Sequence, residues 1–185
     1  MGDIKQELDR IKKRISDADF LSNRGLANDV GIHIFKYAPA NELIVRGFIE
    51  RLVSFPSDAY RIIEGDMYKI FLEILKDQRV LEAVSGLEEK KGKEYLLTQL
   101  QQIATPEAFI ERMRYGPHEF GDVFFLTGVG KVYPFMRVHK MLDSMQQELS
   151  DIPIVVFYPG EYTGQNLVLF GKIQDGNYYR AFNLL

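Results

Sequence analysis

The stretch VFFLTGVGKVYPFMRVHKML, residues 123–142, decides how the chain is read. Its opening run is apolar without alternation, as in a strand covered on both faces. The run ends in Thr-Gly-Val-Gly-Lys. After it, Phe135, Val138, Leu142, Met145 and Leu149 recur at spacings of 3, 4, 3 and 4, the stripe of an amphipathic helix over 133–149 with Pro134 near its start. A buried strand, a tight turn and a helix make half of a βαβ unit, so the flanking chain should also alternate strand and helix.

It does so from residue 32 to residue 158. GIHIFKYAP (31–39) reads as a strand, and NELIVRGFIERLVSF (41–55) as a helix with Asn41 as N-cap. YRIIEG (60–65) is a second strand, followed by a helix over 66–86 stopped by Gly86. LEEKKGK is an exposed connector, and EYLLTQLQQIA (94–104) is helical. Thr105 caps another helix, with Pro106 at its first position. IPIVVFYPG (152–160) is a strand covered on both sides, and its Pro159-Gly160 marks a turn. In NLVLFGKIQDGNYYRAFNLL (166–185), Asp175-Gly176 between two apolar runs predicts a hairpin with a type I′ turn. Ahead of all this, Ile4, Leu8, Ile11 and Ile15 stripe a charged helix that must lie on the domain itself or on a partner. The expectation is one α/β three-layer sandwich over residues 25–185, with a mostly parallel sheet and the antiparallel hairpin at its edge. An N-terminal amphipathic helix occupies residues 1–24.

Composition narrows the function. The 185 residues suit one domain, and a net charge of -3 with pI near 5.7 gives no electrostatic reason to expect nucleic-acid binding. Arg137, Lys140 and Arg180 are candidates for a local basic patch. There is no cysteine, which removes disulfides, thiolate metal sites and a cysteine nucleophile, and fits a cytoplasmic location. No apolar run reaches the ~18 residues of a membrane span. Met1-Gly2 begins like a myristoylation signal, but Gln6 stands where Ser or Thr is needed.

The turn after the first quoted strand invites comparison with a phosphate-binding loop, because ligands of α/β sheets collect beyond the carboxyl ends of the strands. A Walker A loop has a glycine five positions before its Gly-Lys pair and a hydroxyl just after the lysine. Phe125 and Val132 occupy those positions. The dinucleotide fingerprint fails as well, since Tyr133 stands at its third glycine. Gly128, Gly130 and Lys131 retain the means to hold a simple anion, but a tight strand-to-helix turn explains them with less. The three histidines, His33, His118 and His139, form no pair at metal-ligand spacing, and half-buried structural roles are commoner for such residues. No Gly-x-Ser-x-Gly elbow exists, and the paired carboxylates sit in solvated segments. No cofactor or metal is expected, and no catalytic residue. What remains is a concentration of Tyr and Arg in the last third, the residue types that dominate contact surfaces: Tyr133, Arg137, His139, Tyr158, Glu161 and Tyr162, with Tyr178, Tyr179 and Arg180 nearby.

Four motifs taken together carry a family resemblance: TGVG-x-x-YPF-x-R-x-H (127–139), FYPG-x-Y (157–162), LxLFG (167–171) and YYRAF (178–182). With HIFKYAPANELIVRGFIERL (33–52), they resemble the BrxB family of BREX phage-defence systems, over a span from about residue 30 to the end. The resemblance implies a small accessory protein without established catalytic residues. It would work beside a methyltransferase, a large ATPase and the phosphatase-like PglZ, as an adaptor with a PglZ-like protein as the leading partner. The alternative left open by the residues is a degenerate phosphate- or nucleotide-binding protein built on the Gly128–Lys131 turn.

Overall fold

A computed structural model describes residues 3–22, 31–55, 57–177 and 181–185. In chain order the elements are α1 (Ile4–Arg14), α2 (Ala18–Leu21), β1 (Ile32–Tyr37), α3 (Glu42–Ser54), β2 (Arg61–Asp66), α4 (Met67–Asp77), α5 (Val84–Lys91), α6 (Lys93–Ile103) and α7 (Pro106–Met113). They continue with β3 (Asp122–Thr127), α8 (Val129–Val132), α9 (Val138–Glu148), β4 (Ile154–Tyr162), β5 (Asn166–Leu169), β6 (Ile173–Asn177) and β7 (Phe182–Asn183).

The main sheet runs in the order β2-β3-β4-β1-β7, and every neighbouring pair in it is parallel. Because successive strand residues point to opposite faces, the register builds two cores. Ile34, Leu126 and Val156 lie side by side and pack under α4, α6, α7 and α9. Phe35, Phe125, Val155 and Phe157 face the other way, against α1, α2 and α3. Three layers result, an α/β sandwich with a mostly parallel sheet.

The apolar stripe of α1 explains its place. Ile4, Leu8, Ile11 and Ile15 are all buried in the second core, each contributing roughly 1.5–3 kcal/mol by leaving water. Asp3 caps the helix by accepting from the Lys5 amide, and Lys12, Lys13 and Arg14 lie where they oppose the negative end of its dipole. Thr105 likewise accepts from the Ala108 amide, and Pro106 opens α7.

Six local expectations are corrected. Asp175-Gly176 is not the hairpin turn. The turn is at Phe170 and Gly171, whose φ values of 56° and 67° follow the type I′ pattern, closed by the Lys172 amide on the Leu169 carbonyl at 3.0 Å. Asp175 instead is the extra residue of a bulge in β6, since Leu167 pairs with Gly176 while Val168 pairs with Gln174. The hairpin also grows from the end of β4, inside the sheet order, and not along an outer edge. Pro159-Gly160 makes no turn, for β4 runs through both to Tyr162.

The helix expected over 133–149 starts only at Val138. A residue before proline is held out of the helical region, and Tyr133 is accordingly extended (φ -64°, ψ 136°), so α8 stops at Val132 and the chain restarts as α9. Gly86 ends nothing and sits inside α5. Helix α4 already stops at Asp77, where Arg79 turns left-handed (φ 57°) and the Val80 amide reaches back to the Leu75 carbonyl at 2.9 Å. Asn41 closes a 3₁₀ turn and makes no side-chain cap.

Candidate functional site

Parallel strands aim their carboxyl ends at one side of the sheet, where Tyr37, Asp66, Thr127 and Gly128 meet the first turns of α3, α4 and α8 in an open crevice. Its polar groups come from far apart in sequence and bond to one another. The Thr127 hydroxyl donates to Glu64 Oε1 at 2.8 Å, across 63 residues. The Tyr37 hydroxyl donates to Glu42 Oε2 at 2.7 Å, and burial together with that carboxylate pushes its pKa well up. Asp66 Oδ1 accepts from the amides of Tyr68 and Lys69 at 3.0 and 3.2 Å, which caps α4. Arg46, Lys69 and Lys131 complete the rim.

The Gly128–Lys131 turn borders this crevice. Gly128 has φ 71°, and a Cβ there would collide with Asp66 Oδ1 and come within 3.0 Å of the Tyr68 amide nitrogen. A carboxylate of the chain itself therefore lies against the turn, where an anion would have to sit. The amides of Lys131 and Val132 bond back to the Gly128 carbonyl at 3.1 and 3.0 Å. Gly130 packs against Phe170 and Pro159. Gly128→Ala is expected to cost about 2–3 kcal/mol, from left-handed strain plus disturbance of the α4 cap. Lys131→Ala, at an exposed position, should stay within about 0.5 kcal/mol of the parent. Urea unfolding of the two variants side by side checks both.

The tyrosine- and arginine-rich set divides. Tyr158 and Tyr162 are fully buried. The Tyr162 hydroxyl donates to the Ala181 carbonyl at 2.8 Å, and the Tyr158 hydroxyl meets Asp175 Oδ2 at 3.4 Å. Neither is a surface residue, because every position of β4 except Glu161 is buried. Tyr133 and Arg137 lie half-buried together, the guanidinium 5.8 Å from the ring centre, and Arg137 Nη1 donates to the Gln174 carbonyl at 3.0 Å. Glu161 is exposed and pairs loosely with Lys36 at 3.8 Å. Tyr178, Tyr179 and Arg180 lie outside the described residues.

His139 is held by a residue the sequence had placed in a turn. The bulge drives Asp175 inward until it is 1% exposed, with His139 Nδ1 3.8 Å from its Oδ1 and no hydrogen bond to either atom. Burial raises the Asp175 pKa to about 6, despite the positive charge of Arg137 and the Tyr158 hydroxyl. Burial likewise lowers that of His139. The other histidines are structural. His33 lies between the rings of Phe20 and Phe182, its pKa pulled to about 4 by burial and then by Arg14, while His118 Nδ1 pairs with Asp151 at 2.8 Å.

A family model for "BREX protein BrxB" matches residues 63–184. The chain belongs to the BrxB family. Two curated relatives carry that description. The protein from Bacillus cereus (strain H3081.97) is 38% identical, over the whole of this chain and 99% of its own length. The protein from Escherichia coli O9:H4 (strain HS) is 30% identical, over 98% of this chain and 92% of its own. No solved structure matches it. The BrxB match begins inside β2 and runs on through β4–β6, so it takes in Glu64, Asp66, Thr127 and Gly128 of the crevice, while Tyr37, Glu42 and Arg46 lie before it. Among the described residues no His, Asp and Glu side chains gather as a metal site, and no helix is long and apolar enough to cross a membrane.

Crevice groups such as Glu64, Asp66 and Thr127 escaped attention in the sequence. An acidic residue ending a strand just before a helix, as in EGDM (64–67), is the one local signal that could have marked the Asp66 cap.

Proposed function

We propose that this BrxB-family chain is a non-enzymatic adaptor of a BREX anti-phage complex, working by protein–protein contact, with a PglZ-like protein as its direct partner. The observation that supports this most is the state of the strand-end crevice. Its hydroxyls and most of its carboxylates are engaged with each other or with helix ends, in the place where an α/β enzyme would offer them to substrate. The contact surface is centred on the Tyr133–Arg137 pair, with exposed Glu161 as a separate candidate position.

Co-expression with the PglZ-like protein of the same locus, followed by size-exclusion chromatography at moderate salt, tests it. A stoichiometric joint peak is expected. Arg137→Ala combined with Glu161→Lys should break that peak while leaving the melting temperature within a few degrees, and Lys131→Ala should leave it intact. Separate elution of two folded proteins would remove PglZ as the direct partner.

A further inference from the structure

Helix α3 buries Val45, Phe48, Ile49 and Leu52 and turns a second, regular face to solvent. Leu43 and Val53 on that face are 78% and 43% exposed. Between them stand Arg46 and Glu50, also exposed and only loosely paired with each other at 3.7 Å. Positions 43, 46, 50 and 53 are spaced 3, 4 and 3, the seam of a two-helix contact. Gly47 lies beside the seam's midpoint with open space where a Cβ would be, apart from the tip of Arg51 at 3.7 Å.

We propose that this face of α3 is a self-association surface, pairing antiparallel with α3 of a second copy of the chain. The order Leu-Arg-Glu-Val is what selects that occupant. Set antiparallel about a two-fold axis near residue 48, Leu43 meets Val53 of the partner at both ends, and Arg46 meets the partner's Glu50 twice in the middle. Every position finds its complement in an identical surface, which is the requirement of an isologous interface. A parallel arrangement would oppose arginine to arginine and glutamate to glutamate. The missing side chain at Gly47 lets the two backbones approach near the axis. A helix of 13 residues is about 20 Å long, so the contact is smaller than a standard interface and the dimer is a weak one. Arg46 and Glu50 also border the strand-end crevice, but the surface lies on the opposite side of the sheet from the Tyr133–Arg137 pair.

Sedimentation equilibrium of the full chain from about 5 to 500 µM covers the range such a contact needs. A concentration-dependent monomer–dimer equilibrium is expected. Arg46→Glu and Glu50→Arg should each weaken it about tenfold, because each change turns two attractive pairs into two repulsive ones. The combined Arg46→Glu/Glu50→Arg chain should recover the parent affinity. All four side chains are exposed, so circular dichroism melting should not move.

Because the chain has no cysteine, Leu43→Cys/Val53→Cys offers a second measurement. Within one helix these positions are about 15 Å apart, too far for an internal disulfide, so oxidation should give a covalent dimer. A chain that stays monomeric throughout the range overturns the proposal, as does a double charge swap no better than the single ones. If Arg46→Glu instead abolishes co-elution of a monomeric chain with another BREX component, the face belongs to that component and self-association is overturned.

Discussion

Tyr162→Ala is expected to destabilise the protein by about 3–5 kcal/mol, the range for removing a large buried aromatic. At this chain length each kcal/mol moves the melting temperature by about 2–4 °C, so a drop of roughly 6–20 °C should be seen. The residue closes β4, and its ring lies in the first core with no exposure. Its hydroxyl ties β4 to the Ala181 carbonyl at 2.8 Å, just before β7. Tyr162→Phe separates the two roles and should cost only about 1 kcal/mol, for one buried hydrogen bond. Urea unfolding followed by circular dichroism measures both. A Tyr162→Ala protein as stable as the parent would mean that the ring is not in the core. The consequence for function is practical: a loss of partner binding in Tyr162→Ala or Tyr158→Ala reflects folding, whereas one in Arg137→Ala with unchanged melting reflects contact.

Asp175→Asn is expected to stabilise the protein at pH 7.5 and above, by about 3 kcal/mol, since one pKa unit corresponds to ~1.4 kcal/mol. The parent carboxyl has a folded pKa of about 6 against an unfolded value of 3.8, because the bulge buries it beside an unbonded His139 nitrogen. A carboxyl raised in the folded state binds its proton more tightly there than in the unfolded chain. Its destabilising effect is therefore absent below about pH 4, grows between pH 4 and 6, and is full above that. The Asn side chain carries no charge and can still accept from Tyr158. The stability gap between variant and parent should open across pH 4 to 6 and then stay constant. His139 works in the opposite sense, since a depressed histidine pKa favours the folded state as pH rises, so the difference between the two proteins is the quantity to follow. A gap that is flat from pH 4 to 8 would show that Asp175 is not a buried, raised carboxyl.

How legible the sequence was depends on the range of the interaction. The alternation of buried strand and amphipathic helix was readable, as were the stripe of α1 and the Thr105-Pro106 helix start, because each depends on residues within a turn or two. The ends of elements were harder. Gly86 and Asp175-Gly176 looked like punctuation, yet the helix was stopped by Arg79 in a left-handed conformation and the glycine served a bulge. Glycine signals permissive backbone, but only the packed neighbours decide whether a turn, a bulge or a helix interior uses it.

The site was the least legible part. Tyr133, Tyr158 and Tyr162 are the same residue type within one short region, and only the length of β4 and its cover on both faces determine that two of them are inside. The sequence alone determined the three-layer α/β class, the charged N-terminal helix with one apolar stripe, and the motifs that carry the resemblance to the BrxB family. Strand order, the crevice pairs such as Glu64 with Thr127, and the buried Asp175 were decided by tertiary structure. They join residues dozens of positions apart, and hydrogen bonds or burial across such distances exist only once the sheet has brought the strands together.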